Sequence, residues 1–235
     1  MMIGARTAAW AKAGGGVPTA RDYVQDGLIA MWDGIENAGW GVHDQNATVW
    51  KDLIGSDDLI MRNCQFEQDS LVSNSNRGVC AYSSITRNLG GMSLEVAFRD
   101  NVKNFNHDLL SLDTEPGTGI VVFGGQDEGS TLDWWVFGGD TNVAANTLGN
   151  TNPTSSSITL ASGLCRFYRI GLEISFLTTS YNDITGFLSL FSLRNSANRN
   201  CLYGAIYCVR LYSRALTADE IAANYAIDKA RFSIP

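Results

Sequence analysis

The sequence predicts an all-β protein: a two-sheet antiparallel sandwich of the jelly-roll kind, closed near its C-terminus by one α-helix. Three observations predict it. Many short runs alternate apolar and polar residues with period two, the mark of strands with one buried face. Gly- and Asn-rich punctuation separates these runs, as in sandwiches built from short strands. Near the end, Thr217-Ala218-Asp219-Glu220 has the form of a capping box, which starts a helix.

Composition bounds the rest. A chain of 235 residues, 45% apolar, can bury one sizeable β core. Only 17% of residues are charged, fewer than the exposed faces of a helical bundle require. A net charge of −7 with scattered Lys and Arg excludes a nucleic-acid surface, which needs clustered cations. No apolar stretch approaches the length of a membrane span, so no membrane is expected as a partner. The first 13 residues lack an apolar h-region, so the chain is expected to be made in a cytoplasm without a signal peptide. Later display on a virion surface is compatible with that.

Five cysteines, Cys64, Cys80, Cys165, Cys201 and Cys208, form no C-x-x-C pair. They read as small buried apolar residues rather than zinc ligands. On one strand, Cys201 and Cys208 would stand roughly 23 Å apart, beyond disulfide reach.

Residues 1–25 are expected to be an N-terminal attachment segment or flexible arm, and 26–235 the sandwich domain. Alanines surround Trp10 until Gly14-Gly15-Gly16 and Pro18 break the pattern. Trp10 is the candidate contact to a virion or assembly partner.

Strands are expected at 27–32, 48–53, 58–62, 79–83, 92–99, 107–113, 119–124, 131–137, 165–175, 186–194 and 204–212. In 92–99, Leu94, Val96 and Phe98 share one face, with Ser93, Glu95 and Arg99 on the other. In 186–194, Phe187, Phe191 and Leu193 oppose Leu188, Leu190 and Arg194. In 204–212, Arg210 shares a face with Ile206, Cys208 and Tyr212, where it would pair with a carboxylate or with loop carbonyls across the sheet. On the helix, Ala218, Ile221, Ala222 and Tyr225 form an apolar stripe, and Lys229 and Arg231 complement the dipole at its end.

The segment GAIYCVRLYSRALTADEIAANYAIDKARF resembles the closing strand and helix of laminin-G-like, concanavalin A-like jelly rolls of gut bacteria and their phages. The match lies at Gly204, Ile206, Val209, Arg210, Tyr212, Arg214, Ala215 and Leu216. Residues 27–33, 50–55 and 92–98 are similar to earlier elements of that family, so the resemblance spans about 26–232. It implies a recognition and adhesion module for a glycan or host-surface ligand, in a phage fibre, tail or capsid-decoration setting. Tyr207 and Cys208 stand where the family often has Asp-Glu. Calcium is allowed by the resemblance, but its ligands cannot be assigned, so no cofactor and no metal site is expected.

Catalytic chemistry finds little footing. Retaining glycosidases need two carboxyl groups about 5–5.5 Å apart, and the strand motif E-x-D-x-E is absent. Asp113 with Glu115, and Glu67 with Asp69, are the nearest substitutes, and Glu115 precedes the turn signal Pro116-Gly117. The dipeptides His43-Asp44 and His107-Asp108 put adjacent side chains on opposite strand faces. The expectation is therefore a chain that is not an enzyme.

Aromatic residues give the better lead. Trp134 and Trp135 are adjacent on one expected strand, so one turns inward and the other outward, where a flat ring can stack on a sugar. The loop 37–44 adds Trp40 beside His43 and Asp44. The expected ligand-binding residues are thus Trp40, His43, Asp44, Trp134 and Trp135. The bland alternative covers the extra tryptophans with a loop or the N-terminal segment. A purely structural virion protein and a homo-oligomer both stay open.

Overall fold

The computed structural model describes residues 16–73, 81–85, 91–100, 107–113, 119–125, 131–136, 142–147, 152–178, 186–191, 200–201 and 204–235. These residues form an all-β sandwich with one α-helix at the C-terminal end. The first strands are β1 (Leu28–Asp33), β2 (Val49–Trp50), β3 (Leu59–Met61), β4 (Cys64–Phe66), β5 (Leu71–Ser73) and β6 (Ala81–Ile85). Next come β7 (Gly91–Asp100), β8 (His107–Asp113), β9 (Gly119–Gly125), β10 (Thr131–Val136), β11 (Asn142–Thr147) and β12 (Thr154–Ala161). The last are β13 (Leu164–Arg169), β14 (Leu172–Thr178), β15 (Gly186–Leu190), β16 (Asn200–Cys201) and β17 (Gly204–Tyr212), followed by α1 (Ala218–Phe232).

One sheet runs β14-β13-β12-β7-β17-β5-β4, with β1 sharing the β17 edge beyond β5. The other runs β11-β10-β9-β8-β15-β6-β3-β2, with β16 beside β8. Pairing is antiparallel except between β16 and β8, which run parallel over two residues. The core between the sheets holds Trp32, Leu94, Val96, Phe98, Phe167 and Leu188, among others. Trp50 on β2 meets Phe66 on β4 edge-to-face, with ring centroids 5.6 Å apart, and so joins the two sheets at one end.

The alternation expected in 92–99 is present: Leu94, Val96 and Phe98 line the inter-sheet core, while Glu95 and Ala97 lie on the far face. Three expectations need correction. The run 165–175 is two strands, because Ile170 (φ 46°) and Gly171 (φ 78°) both take left-handed backbone and close a two-residue hairpin. The run 186–194 stops as a strand at Leu190. Phe191 (φ 60°) turns into the core beside Leu188 and Leu190 rather than opposing them.

In β17 the register shifts between Ile206 and Cys208 against β7. This bulge puts Tyr207 and Cys208 on the same side and sends Ile206 to the inter-sheet core. Arg210 therefore shares its face with Cys208 and Tyr212 but not with Ile206.

The helix packs on the outer face of the eight-stranded sheet, over a second core that includes Tyr207, Tyr212, Ile221 and Phe232. Its capping box forms as expected: Glu220 N donates to Thr217 Oγ1 at 3.3 Å, and Thr217 N donates to Glu220 Oε2 at 2.8 Å. Its buried side, however, is Ile221, Asn224, Asp228 and Phe232, while Ala218 and Ala222 are exposed. The spacing is helical, but half of the stripe is polar. Arg231 does not serve the dipole from solvent. Its guanidinium is buried and bidentate on Asp33, with the Nη2–Oδ1 bond at 3.0 Å.

Arg214 grips the helix start from outside, with Nη1 and Nη2 donating to the two Glu220 oxygens at 2.9 and 2.6 Å. These bonds, then the cap, hold the Glu220 carboxyl down at about 2. A depressed carboxyl stabilises the fold above its unfolded pKa, and that stability is lost as pH falls through the folded value. Glu220→Gln is therefore expected to flatten the acid-side slope of stability between roughly pH 5 and pH 2. It should cost about 1 kcal/mol at pH 7. Urea unfolding of both proteins across that range checks this.

Candidate functional site

The loop between β1 and β2 is built from its buried base outward. Asn37 is fully buried and accepts from Asp44 N at 2.8 Å, while its amide donates to Asp44 O at 2.8 Å. Asn37 O accepts from Lys51 N at 2.9 Å. Glu36 adds a second brace, with Oε2 accepting from Gly41 N at 2.8 Å. The tip, residues 41–46, is exposed on this fixed base.

Each candidate in this loop has a partner. Trp40 is half-buried, packed on the helix-side core, and Arg21 lies over its ring at 4.0 Å from the centroid. Its ring is therefore partly covered by the N-terminal segment. His43 is exposed, and its Nδ1–H donates to the Gly34 carbonyl at 3.0 Å, since a carbonyl can only accept. Asp44 Oδ1 accepts from Asn46 N at 2.9 Å and closes a turn. His43 and Asp44 thus serve different backbone groups.

Trp134 and Trp135 lie on β10, one strand in from the β11 edge. The register pairs Trp134 with Phe123 and Val143, and Phe123 with Leu110, a core residue. Trp134 is therefore on the core face of the nine-stranded sheet. Trp135 is paired with Val122 and Asn142, and Val122 with Ser111, on the opposite face. The loop carrying Trp40 leads into β2, at the other edge of that sheet. The two groups of candidates are thus separate, not one site. Trp10, the candidate for partner attachment, lies outside the described residues.

The more distant part of segment 1–25 also lies outside them, but 19–25 is built into the sandwich. Ala20 and Tyr23 are buried, and Val24 N donates to Asn224 Oδ1 at 2.9 Å. Tyr23 sits under two guanidinium groups, with Arg210 at 4.1 Å and Arg231 at 5.5 Å from its ring centroid. Its hydroxyl donates to Asp228 Oδ1 at 2.7 Å.

Around Tyr23 lies a buried charged network that the sequence alone does not reveal. Arg210 Nε donates to Glu95 Oε2 at 2.9 Å, and Nη1 and Nη2 donate to Asp228 at 2.6 and 2.8 Å. Asn224 Nδ2 donates to Glu95 Oε2 at 2.7 Å and to the Tyr212 hydroxyl at 2.9 Å. Burial pushes the Glu95 and Asp33 carboxyls up, against the opposing pull of Arg210 and Arg231 respectively. All of these groups are shut away from solvent, so the network fastens the helix to the sheet and offers no surface to a substrate.

Glu67 and Asp69 fall on the turn between β4 and β5, where Glu67 N donates to Ser70 O at 2.9 Å. Asp113 ends β8, and Glu115 lies outside the described residues. Cys64, Cys165 and Cys208 are free thiols, and burial pushes Cys165 up to about 12. No group of three or more His, Cys, Asp or Glu that could hold a metal ion occurs among the described residues. No helix among them is long and apolar enough to cross a membrane.

No protein-family model and no curated protein matches the sequence. Solved structures do match in fold. One is the Trypanosoma rangeli sialidase in complex with sialic acid, with a TM-score of 0.67 and 16% identity over 90% of this chain. Another is a mutant of that sialidase displaying trans-sialidase activity, with a TM-score of 0.65 and 15% identity over 92% of this chain. A third is a receptor-binding domain, with a TM-score of 0.62 and 12% identity over 86% of this chain. This chain spans only 34% of the sialidase chains and 51% of the receptor-binding one, so the likeness is one of fold.

These likenesses overturn the expectation of a chain that is not an enzyme. The solved structures that share its fold include sialidases, which are enzymes, so a missing strand motif is no ground for excluding catalysis.

Proposed function

We propose that this sandwich recognises a glycan through the outer face of its nine-stranded sheet, around Trp135. The observation that carries the reading is the register of β10, which pairs Trp135 with Val122 and Asn142 and assigns it the opposite side of the sheet from Trp134. An indole on a rigid sheet can stack on a sugar ring, and an amide beside it can bond hydroxyls. The fold shared with a sialidase in complex with sialic acid supports the same class of ligand. Trp40, His43 and Asp44 are a lesser contact in this reading, because Arg21, Gly34 and Asn46 already engage them.

The closing motif supports a sandwich of the laminin-G-like, concanavalin A-like kind. The setting that goes with it is a phage particle, with residues 1–15 and Trp10 as the attachment piece and the sandwich facing the host.

A glycan array with neutral and sialylated sugars, probed at high multivalency, tests the reading. Trp135→Ala is expected to lose about tenfold or more in affinity for the bound class, while Trp40→Ala loses little. A chain that binds no sugar above background sinks the proposal. Chromatography of the same incubations for released sugar tells binding from cleavage.

A further inference from the structure

The two sheets do not end alike. At one end of the eight-stranded sheet the last strand, β4, is three residues long, and at one end of the nine-stranded sheet β2 is two. Such short edges offer little for another chain to pair with. At the same end the outer side of β1 is covered by the 52–53 segment, where Leu53 N donates to Met31 O and Met31 N to Asp52 Oδ1. The opposite edge is β14, seven residues long and, among the described residues, paired only with β13.

β14 lacks most of the usual protections of a free edge. It carries no Lys, Arg or Pro. Its one charge, Glu173, is taken up by Arg166 of the same sheet at 2.7 Å. What it offers solvent instead is apolar. Leu172 is 66% exposed and Phe176 64%, with Ile174 and the hairpin residue Ile170 also open. These four are half of the eight large apolar residues exposed among the described residues. The register with β13 puts Phe176 on the side of Arg166 and Leu172 on the side of Phe167, so an exposed apolar residue stands on each face of the strand, although α1 lies against part of it. A bulge at Ile174 bends the strand and limits ladder pairing to the stretches on either side.

We infer that β14 is a self-association edge, which pairs antiparallel with β14 of a second copy of this chain and continues the eight-stranded sheet across a two-fold axis. An antiparallel edge is its own complement under two-fold symmetry, so a second copy satisfies the open backbone groups of both. The charge balance favours the same occupant. The chain bears −7, which opposes close approach of two copies over most of the surface, but β14 and its neighbour Arg166 together are neutral. The exposed apolar area of these four residues is on the order of 400 Å² per copy, divided between the two faces of the strand. With the edge backbone, two copies bury roughly 1,000 Å², about the least that a specific interface needs. The association is therefore weak and concentration-dependent. This inference is independent of the glycan reading.

Sedimentation of the full chain from about 5 to 500 μM tests it. The expected result is a monomer–dimer equilibrium that Phe176→Lys and Ile174→Lys each shift at least tenfold toward monomer. Both residues are exposed, so folding should survive, and circular dichroism with the thermal midpoint verifies that. A second arm removes residues 1–15. A monomer at all concentrations overturns the inference, as does a dimer indifferent to both lysines. A chain that dimerises only after residues 1–15 are removed also overturns it, because that segment is then the occupant of the edge.

Discussion

Replacing Arg210 with methionine is expected to destabilise the protein by about 3–5 kcal/mol, the usual cost of removing one partner from a buried ion pair. The guanidinium is shared between Glu95 and Asp228 and makes three of the hydrogen bonds that hold them. Methionine fills much of the volume but leaves two carboxyl groups beneath the helix without a cation. They must then either stay charged in a poor solvent or take up protons. The variant should therefore be most damaged at neutral pH and recover in part toward acid. Adding Glu95→Gln and Asp228→Asn should restore a large share of the loss, because neutral amides do not need the cation. Urea unfolding of the single and triple variants measures both steps. A loss below about 1 kcal/mol for Arg210→Met would show that the network is not coupled to folding.

Gly34→Ala is the second large effect. The residue follows β1, where its amide donates to Tyr207 O at 2.8 Å and its carbonyl receives His43. A Cβ placed there would come within 2.2 Å of the Asp69 carbonyl oxygen. Backbone cannot rotate out of the way as a side chain can, so β1 and the turn before β5 must part. The cost should reach or pass the upper end of the roughly 1–3 kcal/mol typical of overpacking. It should also loosen the His43 contact, which is made to the carbonyl of Gly34 itself. Gly16→Ala is the control, with nothing within 4 Å of the added carbon. Equal denaturation midpoints for the two variants would refute the steric account.

Parts of the fold were legible because their signals are local. The capping box joins residues three apart, and the alternation of Leu94, Val96 and Phe98 needs only a strand. Other parts were hidden because their partners are remote. β12 is buried along Thr154–Leu160, yet it is absent from the strands expected from the sequence. Ser156 Oγ donates to Tyr168 O at 3.0 Å, and Ser157 Oγ to Glu95 at 3.4 Å, which makes the hydroxyls acceptable in the interior. Asn224 and Asp228 broke the apolar stripe of the helix for the same reason, since Glu95 and Tyr23 lie 129 and 205 positions away. The bulge at Tyr207 reversed a face assignment that strict alternation had made, and no residue type announces such a bulge.

The candidate site was legible in type more than in place. The sequence names indoles as candidate stacking groups, but the Arg21 cover on Trp40 arises from a chain crossing nineteen positions earlier. Only the cross-strand register separates Trp134 from Trp135.

Tyr23 and Val24 grip the final helix at Asp228 and Asn224, across 205 and 200 positions of sequence. Mechanically the chain is thus less a line with two loose ends than a belt fastened on itself. A pull at either end loads the same buckle, in shear across several short bonds at once, before any strand can be peeled from its sheet. A module tethered by its N-terminal segment would meet that tension first at the buckle, before it reaches the sheets.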